Sequence, residues 1–172
     1  LSVRGRLALI DGRSGATCHE VAFQYNPDRL LHTLHAPAGG DPRARPLETL
    51  VLSAELDAAD GLQTRDPIAV ELGIAHRLAA FRALLRPPAR CADPFVVLTL
   101  GPTRAVPVHV VELAIAEEAF DAQLHPIRAI VTLTLVGLDG RAAAPAAARA
   151  LDAHDELQDR LAAIGAASDP AG

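Results

Sequence analysis

Two segments of this chain are apolar on both of their faces. No charged residue interrupts "FVVLTL" (95–100) on either side. In "IRAIVTLTLVGL" (127–138), Ile127, Ala129, Val131, Leu133 and Leu135 share one face, and Arg128, Ile130, Thr132, Thr134 and Val136 share the other. The period of two marks both segments as strands. A strand in a small antiparallel domain ordinarily buries one face and wets the other. This chain must therefore cover two sheet faces, and it offers one clear helix with which to do so. The shortfall predicts a second buried surface supplied by other copies of the chain or by partners.

The remaining elements follow from spacing and turn chemistry. "RLALI" (6–10) reads as a short strand closed by the turn "DGRSG". "CHEVAFQY" (18–25) alternates, with Val21, Phe23 and Tyr25 expected on the buried face, and stops at Asn26-Pro27-Asp28. A Gly-, Pro- and Arg-rich loop, "HAPAGGDPRARP" (35–46), is long for a simple connection. "LETLVLSAEL" (47–56) resumes the alternation with Leu50, Leu52, Ala54 and Leu56 on one side.

Asp66 as N-cap and Pro67 at the first helical position open a helix whose stripe is Ile74, Leu78, Phe81 and Leu85, ended by Pro87-Pro88. "AVPVHVVELAI" (105–115) changes its alternation near Val110-Val111, which predicts a bulge. Pro107 predicts an edge position or an irregular ladder. From residue 141 an Ala/Pro-rich linker leads into a short helix with Leu157, Leu161 and Ile164 as its stripe. The expectation is an α+β, mainly β domain over 1–140, built of six strands in a barrel or sandwich with a flanking helix. A helical tail follows over 141–172.

Composition narrows the chemistry. Half of the 172 residues are apolar but only 3 % are aromatic, so the core is aliphatic. The net charge is −5, which provides no basic field for a nucleic-acid backbone. All the basic residues are arginine, and the missing lysine removes Walker-type phosphate loops and Schiff-base chemistry. No apolar run approaches a membrane span or a signal-peptide core, so cytoplasmic synthesis and assembly are expected. The chain opens on Leu1, and a trimmed start is expected. Cys18 and Cys91 form no metal-type pair, and two free thiols in a reducing compartment are expected.

Candidate sites are few. His32 and His35, with Cys18 and His19, are the available metal ligands, yet their spacing fits surface histidines better than a zinc pair. Glu117, Glu118 and Asp121 cluster as acid/base catalysts do, without apolar surroundings to raise a pKa. Asp57 and Asp60 read as turn carboxylates. Ser14 lacks the spacing of a nucleophile elbow, and His109 sits within a strand. No catalytic, cofactor or metal site is expected, and the chain does not read as an enzyme.

Several pieces taken in order resemble one family. They are "FQYNPDRL" (23–30), "ETLVLSAELDAADGL" (48–62), "GIAHRLAAFRALLRPP" (73–88) and "DPFVVLTLGPTRAVPVHVVELAIAEEAFDAQLHPIRAIVTLTLVGL" (93–138). Together they are similar to the tube-like baseplate proteins of contractile injection systems, which are phage-tail-like machines. The nearest branch is the tube-initiator or adaptor subunit, whose longer members carry a LysM module. An "EEAFD" lead-in, then "L-x-P-I-R-A" and a long strand, is a recurrent signature of that family, fairly specific as a package with "QYNP" and the "LDAAD" turn and weak alone.

The resemblance covers roughly residues 18–140 and implies two packed β-sheets in a barrel-like arrangement. It implies homohexameric rings around a lumen, with an inner-tube protein and a spike or hub protein as partners and no reaction of the subunit's own. The loop 35–46 is the candidate stacking contact between rings. The tail after residue 140 is too short for a LysM module, which separates this chain from the longer relatives. Two other readings compete: the main inner-tube protein of the same machine, and a small ligand-binding β-barrel. An enzyme using the 117–121 carboxylates, with Glu118 essential, is a third.

Overall fold

A computed structural model describes residues 4–37, 39, 44–140 and 143–168. The strands are β1 (Arg6–Ile10), β2 (Thr17–Ala22), β3 (Leu30–His35), β4 (Leu47–Asp57), β5 (Phe95–Thr99), β6 (Ala105–Phe120) and β7 (Pro126–Gly137). The helices are α1 (Ala59–Gln63), α2 (Pro67–Leu72), α3 (Ala75–Ala83) and α4 (Pro145–Ser168). The chain is α+β and mainly β, as its pattern predicts. All seven strands join one antiparallel sheet in the order β2-β1-β5-β6-β7-β4-β3. The two separate sheets implied by the resemblance are thus one continuous ladder.

That sheet rolls up. In a flat sheet β2 and β4 would lie about 24 Å apart, five spacings of ~4.8 Å. Yet Gln24, just after β2, donates to the Asp57 carbonyl at 2.8 Å and accepts from the Asp57 N–H at 3.0 Å. The inward residues fill the roll: Leu7 and Leu9 of β1, Val96 and Leu98 of β5, Leu50 and Leu52 of β4, Val131 and Leu133 of β7. Helix α3 adds Leu78 and Phe81, and Phe81 stacks on Phe23 at a centroid distance of 6.4 Å. Tyr25, expected beside Phe23, lies outside the core and is half exposed.

The helical stripe also differs from its simple reading. Asp66 caps α2 by accepting from the Ile68 and Ala69 N–H groups, but Gly73 breaks the run, and α3 begins afresh at Ala75. Ile74, Leu78 and Phe81 are buried as expected, whereas Leu84 takes the place assigned to exposed Leu85. Strand β3 has no fully buried residue, and "LLHTLH" therefore lacks the alternation that marks the other strands. Strand β6 is interior rather than at an edge. Pro107 is accommodated there because its carbonyl accepts from Leu138 where the β6–β7 ladder ends, so its missing N–H faces that frayed end. The expected bulge is present as a register shift between Val110 and Glu112.

Part of the second apolar face is covered from within. Phe95 and Leu138 pack against Ala146, Ala147 and Leu151 at the start of α4. The Gly12 carbonyl accepts the Ala146 N–H at 2.7 Å, fixing where this helix begins. The docked stripe is Ala147, Leu151 and His154, whereas Leu161 and Ile164 of the expected stripe are exposed.

Cys18 and Cys91 are bonded to each other across 73 residues, contrary to the free thiols expected from composition. Their pairing depends on the segment leading into β5 running beside the β1–β2 turn, where the Ala92 carbonyl accepts from Gly12 N–H, which local spacing does not reveal. Asp11 reinforces the junction by accepting from Arg13 N–H, both donors of Ser14, and Ala92 N–H. The backbone bond from Ser14 leads the set that holds its carboxyl down at a pKa of about 2. In the loop-closure picture a 73-residue loop contributes about 4 kcal/mol. Urea unfolding with and without reductant is expected to show a loss of that order, and the Cys91→Ala variant should no longer respond to reductant. Coincident midpoints for the oxidised and reduced wild type would remove the cross-link from this account.

Candidate assembly surface

The residues considered for chemistry do not converge. His32 and His35 lie three apart on a strand and so point to opposite faces. Cys18 is in the disulfide, and His19 Nε2 lies 2.9 Å from the Ala80 carbonyl. Asp11, Cys18 and Cys91 do approach one another within 4.8 Å. However, both sulfurs are bonded and four N–H or O–H donors occupy the carboxylate, so the group acts as a clasp. Ser14 donates into the same clasp. His109 borders a groove of about 580 Å³ beside α4, where Arg13 and Asp93 pair at 2.8 Å and satisfy each other.

The carboxylates disperse in the same way. Glu117 lies 3.7 Å from Arg82, and Glu118 is exposed. Asp57 accepts from the Ala59 N–H where α1 starts, and Asp60 lies in that helix's first turn. Asp121 closes the β6–β7 turn by accepting from the Gln123 and His125 N–H groups and by pairing with His125 Nδ1 at 2.9 Å. Desolvation alone would raise the Asp121 pKa, but these bonds and the His125 charge bring it below the ordinary range.

The turn built by Asp121 explains the "EEAFDAQLHPIRA" lead-in to β7. The Pro126 carbonyl accepts from Ile74 N–H at 2.8 Å, and the Ile127 carbonyl accepts from Ala58 N–H at 2.9 Å. The start of β7 thereby anchors the segments that open α1 and α3. Gly73 makes the close approach possible, because a Cβ there would stand 2.1 Å from the Pro126 oxygen at a φ of +56°.

The sheet also presents an outer surface. On the outer side of the sheet, Val51 faces Thr134, Ser53 faces Thr132, and Ala114 and Ala116 face Thr132 and Ile130. Ser53 and Thr132 share a hydrogen bond of 3.0 Å. Charge enters the belt at Glu112, which accepts from Thr134 at 3.3 Å, and at its end, where Arg128 reaches Glu55 at 3.2 Å and Asp57 at 3.5 Å. Beside the belt, β3 ends the sheet, with Leu31 at 48 % and Leu34 at 58 % exposure. The candidate stacking loop lies partly outside the described residues, at positions 38 and 40–43. No described helix is long and apolar enough to cross a membrane. A scan against family models finds no match, and a search of curated proteins finds no significant one.

A surface of this kind depends on the scaffold behind it, and Gly73 tests that dependence. The Gly73→Ala variant is expected to lose at least about 2 kcal/mol, since it adds left-handed strain to a backbone clash. Thermal unfolding gives the loss, and near-wild-type stability would refute the close packing of Gly73 on Pro126.

Proposed function

We propose that this chain is a structural subunit of a contractile injection system, a phage-tail-like machine. In this reading it forms a homohexameric ring that initiates or extends the inner tube above the spike. The observation that carries the reading is the outer sheet face: a belt of mostly small and β-branched residues on β4, β6 and β7, broken by Glu112 and continuing to an open, leucine-bearing edge at β3. Such a face is costly to leave in water and suits side-by-side packing of copies. The scattered carboxylates and histidines support an assembly role over catalysis. The ordered motifs over residues 18–140 direct the reading to the tube-like baseplate family.

The inner-tube protein and the spike or hub protein are the proposed partners. The main inner-tube protein of the same machine is the competing identity, and copy number per particle separates the two. Electron microscopy and native mass spectrometry of the purified chain are expected to show six-fold rings with a central hole. The paired substitutions Leu31→Glu and Val51→Glu should leave a folded monomer that no longer assembles. A wild-type protein that stays monomeric, alone and in particles isolated from lysate, would overturn the proposal.

A further inference from the structure

Helix α4 is held at a junction of titratable groups that neither the core nor ring building requires. His154 projects from α4 and is only 7 % exposed. Its Nδ1 lies 3.1 Å from the Ala105 carbonyl at the start of β6, and its Nε2 lies 3.4 Å from Glu48 Oε1 on β4. A carbonyl and a carboxylate only accept hydrogen bonds. Both ring nitrogens must donate to satisfy them, and only the imidazolium has two N–H groups.

Other charges surround the pair. From β3, His32 Nε2 stands 3.5 Å from the second Glu48 oxygen. Asp155, next along α4, pairs with Arg45 from the segment before β4. Glu48 is thus flanked by two histidines, while Arg45, ahead of β4, is engaged by Asp155.

We propose that this junction is a pH-operated latch. Protonated His154 holds α4 across the ends of β4 and β6, and loss of the proton loosens the helix around His154 and Leu151. Either tautomer of the neutral ring leaves a nitrogen lone pair against an oxygen, at Ala105 or at Glu48, in a place with little water to compensate.

The hydrogen bond to Glu48 is the main reason the His154 pKa stands above its ordinary 6.5; burial opposes the shift, and the Glu48 charge, the Ala105 carbonyl and Asp155 add to it. The same bond leads the set that holds Glu48 below its ordinary 4.5, again against burial. A raised histidine stabilises the docked helix fully below its ordinary value and ceases to do so as pH rises through the raised one. A depressed carboxylate contributes above its ordinary value and is lost as pH falls. The latch is therefore closed between the ordinary carboxylate range and the raised histidine value. Above that window the backbone bond from Ala146 to Gly12 still tethers the helix at its start.

Amide hydrogen exchange on the full chain from about pH 5 to about pH 9, expressed as protection factors, tests the latch alongside NMR titration of the His154 ring. Protection in the docked part of α4 is expected to fall about tenfold or more as His154 loses its proton, the loss of one hydrogen bond to a charged group, while the β6–β7 ladder stays protected. The Glu48→Gln variant should lower the His154 titration and carry the α4 transition with it to lower pH. The His154→Gln variant should show weak, pH-independent protection of α4. Constant α4 protection through the observed titration of His154, or an unchanged pH response in His154→Gln, would overturn the latch.

Discussion

The two hydrogen bonds between Gln24 and Asp57 record the closure on which the rest of the fold depends. They bring the first strand of the sheet against the sixth and turn seven strands into a roll with one aliphatic interior. With the inner face enclosed by curvature and α3, the chain needs no second sheet to make a core. The outer face is then divided. Near Phe95 and Leu138 it is sheltered by α4, and over β4, β6 and β7 it remains open.

Two local clasps keep the roll from relaxing. At one, Asp11 gathers the β1–β2 turn, the Cys18–Cys91 bond joins the sheet edge to the approach of β5, and Gly12 receives the start of α4. At the other, the Asp121 turn sets the carbonyls of Pro126 and Ile127 against the helical segments at Ile74 and Ala58. Both clasps use carboxylates as acceptors for backbone N–H groups, a task that fixes a chain path without leaving a reactive group. Of the acidic cluster that resembled a catalytic site in the sequence, Asp121 is accounted for in this way, whereas Glu117 lies beside Arg82 and Glu118 is exposed.

Much of this was legible from spacing alone. Leu50, Leu52, Ala54 and Leu56 are buried where alternation placed them, as are Ala129, Val131, Leu133 and Leu135, and Asp66-Pro67 opens a helix. The failures share a cause. Strand β3 has no fully buried residue, so no period marked it. Cys18–Cys91 and Glu48–His154 join positions far apart in the chain, brought together by strand order and by the docking of α4. One signal was present for the latter pair. His154 stands on the same helical stripe as Ala147 and Leu151, at i, i+4 and i+7, where a polar residue implies a buried partner.

The long β6–β7 ladder, running from Val108 opposite Gly137 to Phe120 opposite Pro126, has a mechanical consequence. A pull along the strands loads its hydrogen bonds side by side, so that many must yield together. A pull across the sheet at β3 loads them in succession, and the short edge strand peels first. The chain is therefore stiff along the strand axis and compliant at one edge. Its resistance to forced unfolding is a matter of direction as much as of stability.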